Sequence, residues 1–220
     1  MFVVLEGTHA QKLPVHQGTL RDDDLCFDSD FDSANLMAVF RIGEHNYDLF
    51  LQNDVNTSGF TQWYNFKVTS RRPHLTAHFN IVNLYKSKSL YSQGMKPAIG
   101  QQRQGKVQWT RRGQEIVYQR NDLRFEDEQP LYYHTLSFAH HFHAANEAIQ
   151  LAHAQPYDQS AFDKLLQTVR ASAKVTLRSI GSTPMGKSIH LIKIAAADRD
   201  NRNHNLSKKA IIIMARQHPG

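Results

Sequence analysis

His218 stands in Arg216-Gln217-His218-Pro219-Gly220, directly after the apolar run Ala210-Ile211-Ile212-Ile213-Met214-Ala215. An imidazole delivered from the carboxyl end of a strand sits where open α/β sheets place their ligands. Pro219-Gly220 would turn the chain and let a following residue fold back beside the ring. Metal ligation and a hydrogen-bonded structural role both suit such a histidine, and from its position alone the structural role is the favoured reading. A second concentration of imidazoles comprises His134, His140, His141, His143 and His153. His141 and His143, two apart on an extended segment, would project the same way about 7 Å apart, which could begin a metal site. No acidic or thiol ligand accompanies them at ligand spacing, so solvated histidines on a strand face are the favoured reading.

A third candidate is the loop carrying Tyr85, Lys86, Lys88 and Tyr91 ahead of Gly94-Met95. Its mixed aromatic and basic character suits either a docking edge for an acidic tail or a packed loop between domains, the latter favoured. Cys26, beside Phe27 and Asp28, reads as structural, and Trp63 and Trp109 read as core or interface anchors.

The elements that must position these residues change in kind along the chain. From about residue 36 to residue 142, short runs of aromatic and β-branched residues alternate with turn formers. In Gln62–Ser70, Tyr64, Phe66 and Val68 share one face; in Leu75–Leu84, Leu75, Ala77, Phe79 and Ile81 do. Lys106–Trp109 and Glu115–Gln119 suggest a hairpin turning near Gly113, and Leu131–Phe142 is the last clear strand of the series. Many short strands with little helical periodicity indicate an antiparallel sandwich or barrel, and residues 1–153 read as an antiparallel β-sandwich domain. Past Pro156-Tyr157 the pattern becomes helical. Asp158 is a suitable N-cap, and Phe162, Leu165, Leu166 and Val169 recur at helical spacing to about Ser172. Strands over Val175–Ile180, Ile189–Ala195 and Ala210–Ala215 follow. The last is uninterruptedly apolar, as expected of a central strand covered on both faces. Residues 154–220 thus read as a linker, a helix and the first strands of an incomplete α/β domain, and the chain as a whole as mostly β.

Composition narrows the classes of function. The net charge is +6 with 13 histidines, and Arg71-Arg72, Arg111-Arg112 and Lys208-Lys209 are local basic spots. This balance favours acidic partners without choosing among them, and no motif or dense basic stripe supports nucleic-acid binding. One cysteine permits no intramolecular disulfide, which fits a reducing compartment. Met1–Gly7 lacks the features of a signal peptide, and no run approaches the roughly 18 apolar residues of a membrane span. A soluble cytoplasmic protein without membrane partners is expected.

Five ordered segments resemble the cytosolic carboxypeptidases, the branch of metallocarboxypeptidases that includes tubulin deglutamylases. They are Phe31-Asp32-Ser33-Ala34-Asn35-Leu36; Gln62-Trp63-Tyr64-Asn65-Phe66; the long block Phe79–Leu84 with Lys86-Ser87-Lys88-Ser89-Leu90-Tyr91 and Gly94-Met95-Lys96-Pro97; Pro156-Tyr157; and Ala215–Gly220. The last looks like the entry to the family's His-Pro-Gly-Glu zinc motif, one residue short of its Glu. The resemblance implies that His218 is the first zinc ligand and that a Glu, a later His and a water complete the site. It places the general base and the substrate-carboxylate arginine beyond Gly220. It therefore implies a zinc exopeptidase that removes C-terminal residues, glutamates above all, from acidic tails such as those of polyglutamylated tubulin, with a microtubule or cilium association. This chain alone is expected to hold zinc weakly and to lack activity. The competing expectation is a non-catalytic β module for scaffolding, with a vestigial α/β tail.

Overall fold

The computed structural model describes residues 11–12, 19–54, 57, 60–124, 132–195 and 209–215. They fall into two compact units that divide between Pro156 and Tyr157. The first unit contains β1 (Gln11–Lys12), β2 (Thr19–Arg21), β3 (Leu25–Asp28), β4 (Leu36–Gly43), β5 (Asn46–Leu51), β6 (Asn65–Ser70) and β7 (Leu75–Leu84). A 3₁₀ turn (Leu90–Gln93) follows, then β8 (Ala98–Arg103), β9 (Lys106–Arg111), β10 (Gln114–Arg124), β11 (Tyr132–Phe142) and β12 (Ala148–Ala152).

Two six-stranded sheets form, in the orders β1-β4-β5-β7-β11-β10 and β2-β3-β6-β12-β8-β9. The alternation read in the sequence places their shared core. Phe27 on β3 meets Tyr47 on β5 and Phe79 on β7 edge-on, at centroid distances of 5.3 and 6.2 Å. Phe66 and Val68 on β6 join Phe79, Ile81, Leu136 and Phe138 of the other sheet in one buried cluster. Each such aromatic removes a large apolar surface from water, and the offset contacts fix its orientation. The mostly β, sandwich-first architecture predicted above is what the chain adopts.

Three details differ from the sequence reading. Among the described residues all strand pairs are antiparallel except β5 and β7, which run parallel. The chain crosses into the opposite sheet to lay down β6 between them, so β7 returns beside β5 in the same direction. Second, Lys106–Trp109 does not pair with Glu115–Gln119. β9 pairs with β8, turning through Gln104-Gly105 with φ of 49° and 76°. Such paired positive angles match the twist of a two-residue hairpin. Gly113, at φ 141°, instead lets the chain leave β9 in one sheet and start β10 in the other, against β11. Third, Ala210–Ala215 is not a buried central strand: Ile211, Ile212 and Ile213 are more than four-fifths exposed and the segment joins no sheet. A strand covered on both faces needs neighbouring strands and two helical layers. The described residues of the second unit supply only one helix and one hairpin.

That second unit contains α1 (Gln159–Arg170), β13 (Val175–Ser182) and β14 (Ser188–Ile194). Asp158 caps α1, its Oδ1 accepting from the Ala161 N–H at 2.8 Å. Leu166 is buried, and Phe162 lies 5.9 Å from His190 on β14. The β13–β14 hairpin leaves Ile180, Ile189, Leu191 and Ile194 exposed. Among the described residues no helix is long and apolar enough to cross a membrane.

Candidate binding site

The first two segments singled out above for their resemblance, and the asparagines of the third, are polar staples of the sandwich. Asn35 Nδ2 donates to the Trp63 carbonyl at 2.7 Å, and its Oδ1 accepts from the Asn65 N–H at 3.0 Å. Trp63 Nε1 donates to the Ser33 carbonyl, and buried Asn65 donates to Ser33 Oγ, both at 2.9 Å. The first two segments therefore close on each other. Ser33 adopts a φ of 66°, which turns its oxygens toward both partners. In the long block, buried Asn83 bonds both backbone groups of Leu51, and Asn80 donates to Asn46 and Asp48 at 2.9 Å each. Residues of this kind satisfy backbone groups where strands end and would otherwise leave them unpaired.

The remainder of the block, Lys86 to Met95, does something different: it walls a pocket of about 210 Å³. Ser89 caps the 3₁₀ turn, and Gly94, at φ 93°, closes it with its N–H on the Leu90 and Tyr91 carbonyls. That turn pushes Tyr91 inward, where its hydroxyl lies 2.6 Å from that of Tyr64 and 3.4 Å from His153 Nδ1. Tyr118 from β10 flanks Tyr91, ring centroids 6.3 Å apart, and its hydroxyl donates to the Lys86 carbonyl. Leu84, Leu90 and Met95 give the pocket apolar wall, while Lys86, Lys88 and Ser89 give it a polar one. Arg111 lies beneath, donating to the Lys96 and His153 carbonyls at 2.7 and 3.3 Å.

Protonation follows from this enclosure. Burial, chiefly, pushes the Tyr91 and Tyr118 phenols up to about 12, so both remain hydroxyl donors at neutral pH. Burial, then Arg111 and Lys86, hold His153 below the usual histidine value, so its ring is neutral at pH 7. The pocket's positive charge thus resides on lysines, not on the imidazole.

The remaining histidines are dispersed. His134 stacks on Tyr118 at 5.5 Å, and buried His140 meets Phe142 edge-on at 4.8 Å. His141 and His143 do face each other, with centroids 4.7 Å apart, but Thr76 Oγ1 engages His141 Nδ1 at 2.9 Å. The nearby Glu147 carboxylate is occupied by the His143 N–H and by Gln101. Among the described residues no three His, Cys, Asp or Glu side chains gather to hold a metal, so the described residues do not fit a zinc site. His218 lies outside the described residues, so its assignment to zinc rests on the resemblance alone. Cys26 is partly buried on β3, and Trp109 packs over Gly100.

Two features escaped the sequence reading. Tyr118 and His153 reach the pocket from distant strands, and no local pattern announces them. Arg71-Arg72 is not a free basic spot: Arg72 Nε lies 2.9 Å from the buried Asp24 carboxylate, and Arg71 donates to the Asp22 carbonyl. Arg41 and His45 share Asp24, at 3.3 and 3.0 Å.

Residues 27–141, from within β3 to the penultimate residue of β11, match the cytosolic carboxypeptidase N-terminal domain. The chain belongs to the cytosolic carboxypeptidases. It is 34% identical to cytosolic carboxypeptidase 2 of Mus musculus over 99% of its length, and 32% identical to that of Homo sapiens over 90%. Those alignments cover 27% and 22% of the relatives, so the chain spans about a quarter of their length. Among solved structures, a metallo-carboxypeptidase from Burkholderia cenocepacia superposes with a TM-score of 0.57 at 17% identity, covering 80% of this chain and 40% of that one. One from Pseudomonas aeruginosa, in complex with (2-guanidinoethylmercapto)succinic acid, gives 0.55 at 19% identity, over 79% and 41%. At such identities the likeness establishes the fold of this cytosolic carboxypeptidase segment.

Proposed function

We propose that this chain is the N-terminal portion of a zinc metallocarboxypeptidase that removes C-terminal residues, glutamates in particular, from acidic polypeptide tails such as those of tubulin. The observation that carries the reading is the family match over residues 27–141, together with relatives named as carboxypeptidases over nearly the whole chain. In this reading residues 1–153 form the β domain and 154–220 open the catalytic domain. His218 is the first zinc ligand, and the remaining ligands and the general base follow Gly220. A catalytic zinc needs three protein ligands and an open position for water. The 220-residue chain alone is therefore inactive. A cytoplasmic location near microtubules or cilia fits such a substrate. The chain's positive balance suits an acidic polypeptide and requires neither membrane nor nucleic acid.

The test is enzymatic. The protein extended past Gly220 by the gene's own reading frame is given zinc and peptides ending in glutamates, glutamines or lysines. The reading expects zinc-dependent release of C-terminal glutamate, faster than of the other residues, and none from the 220-residue chain. Turnover by the short chain, or no release by the extended one, overturns it.

A further inference from the structure

We propose that the pocket beside the 3₁₀ turn is a binding site for the carboxylate side chains of an acidic polypeptide, set on the β-sandwich itself. Its walls divide by chemistry. Leu84, Leu90 and Met95 offer apolar surface of a size to cover one aliphatic stem, while Lys86, Lys88 and Ser89 offer cations and a hydroxyl for its anionic end. None of the described residues lining it is acidic. Lys86 and Lys88 are exposed, and neither forms an ion pair among the described residues. Two cations facing one concavity raise the local concentration of anions and hold them when they enter.

The surrounding sequence sharpens the sign. From Val55 to Gln114 the chain has no Asp or Glu and ten Lys or Arg. Of these, Arg71 and Arg72 are engaged with Asp22 and Asp24, and Lys67 lies over the Phe31 ring at 4.2 Å. Lys86 and Lys88 both line the pocket beside the 3₁₀ turn. His153 is held below its ordinary value by burial first, with Arg111 and then Lys86 adding to the effect.

The choice of a carboxylate side chain over a phosphodiester rests on the apolar wall. A glutamate brings methylenes to cover Leu84, Leu90 and Met95, whereas a backbone phosphate has no stem to enter a concave site. Lysines accept a carboxylate from many directions, which suits a flexible tail without fixed register. The identity of the partner rests on the function proposed above; the pocket and its charge do not.

The experiment uses the 220-residue chain and a fluorescent peptide of about ten glutamates, with anisotropy read at about 50 mM salt, where screening is modest. Saturable binding is expected, weakened about tenfold by the double substitution Lys86→Ala with Lys88→Ala. The double substitution Arg103→Ala with Lys106→Ala removes the same charge from the β8–β9 hairpin and should change binding less than about twofold. A glutamine peptide of equal length should not bind. No saturation with glutamate peptide, or equal loss in both double variants, overturns the proposal in favour of diffuse attraction. An oligonucleotide of similar charge that binds more tightly than the peptide, and is lost with Lys86 and Lys88, overturns it in favour of nucleic acid. Because the assay involves no metal or turnover, its failure beside an active extended enzyme removes the pocket alone. Binding beside an inactive extended chain removes the proposed function instead.

Discussion

Asn83 and Leu51 are locked by two reciprocal hydrogen bonds: the Asn83 amide oxygen accepts from the Leu51 N–H, and its NH₂ donates to the Leu51 carbonyl, both at 2.9 Å. Asn83 is buried near the end of β7, and Leu51 is the last residue of β5. The side chain thus continues the parallel β5–β7 pairing past its final backbone rung, Leu49 to Ile81. Asn83→Leu removes both partners and leaves a buried N–H and C=O unpaired. The expected loss is about 2–4 kcal/mol, seen as a lower urea midpoint with unchanged slope. Asn83→Asp should be at least as damaging at pH 7, since a carboxylate cannot donate to Leu51. It should recover partly in mild acid, where a protonated carboxyl both donates and accepts. A midpoint within about 0.5 kcal/mol of the parent for both variants would contradict this role.

His140 should make the sandwich acid-labile. It is buried on β11, and its Nε2 has no hydrogen-bond partner among the described residues. Burial first, then the charge of Arg112, drive its pKa down to about 4. Glu147 opposes this, while His141 and His143 add to it weakly. In the unfolded chain the ring titrates near 6.5. The unfolded state therefore binds the proton first as pH falls. Stability is fully retained above about pH 6.5, declines from there to about pH 4, and then levels off with respect to this group. The loss is up to about 3 kcal/mol. His140→Leu should flatten the stability profile between pH 6.5 and 4 relative to the parent. A variant whose profile stays parallel to the parent's would assign the acid lability to other groups.

Asp24 and Arg72 should differ sharply in their cost, although they form one ion pair. The Asp24 side chain is 3% exposed and serves Arg41, His45 and Arg72; that of Arg72 is 61% exposed. Asp24→Asn leaves Arg41 and Arg72 facing a buried neutral amide, and about 3 kcal/mol of stability should go. Arg72→Ala removes a partly solvated charge and should cost about 1 kcal/mol or less. Thermal melts of the two variants measure this, and equal shifts in midpoint would contradict the ranking.

The sequence made the strands legible where one face is buried and the other wet. Leu75–Leu84 matches β7 residue for residue, and Asp158 caps α1 as its type and position suggest. Pairing was harder to read. Gly113 resembles a hairpin glycine, yet the two-residue turn lies at Gln104-Gly105, because a single glycine cannot say which strand comes back. The apolar run Ala210–Ala215 reports only that it should be covered, not what covers it. The loop Lys86–Tyr91 was legible in chemistry and not in depth. Tyr91 is buried against Tyr64, while Lys86 and Lys88 remain on the open side of the pocket. The opposing wall, Tyr118 and His153, comes from strands far along the chain, and only the tertiary fold brings it there.

The central claim, that this chain contributes the first ligand of a catalytic zinc site, is tested most directly by counting zinc. The protein extended past Gly220 is dialysed against zinc and a weak competing chelator, in parental form and as His218→Ala, and metal per chain is measured by mass spectrometry. The account predicts close to one zinc per parental chain, and loss of tight binding in the variant, because two remaining ligands hold the metal poorly. The folded state of the variant is checked by the unchanged melting of its β-sandwich. Equal zinc in the parent and the variant would contradict the account and place the metal elsewhere in the protein.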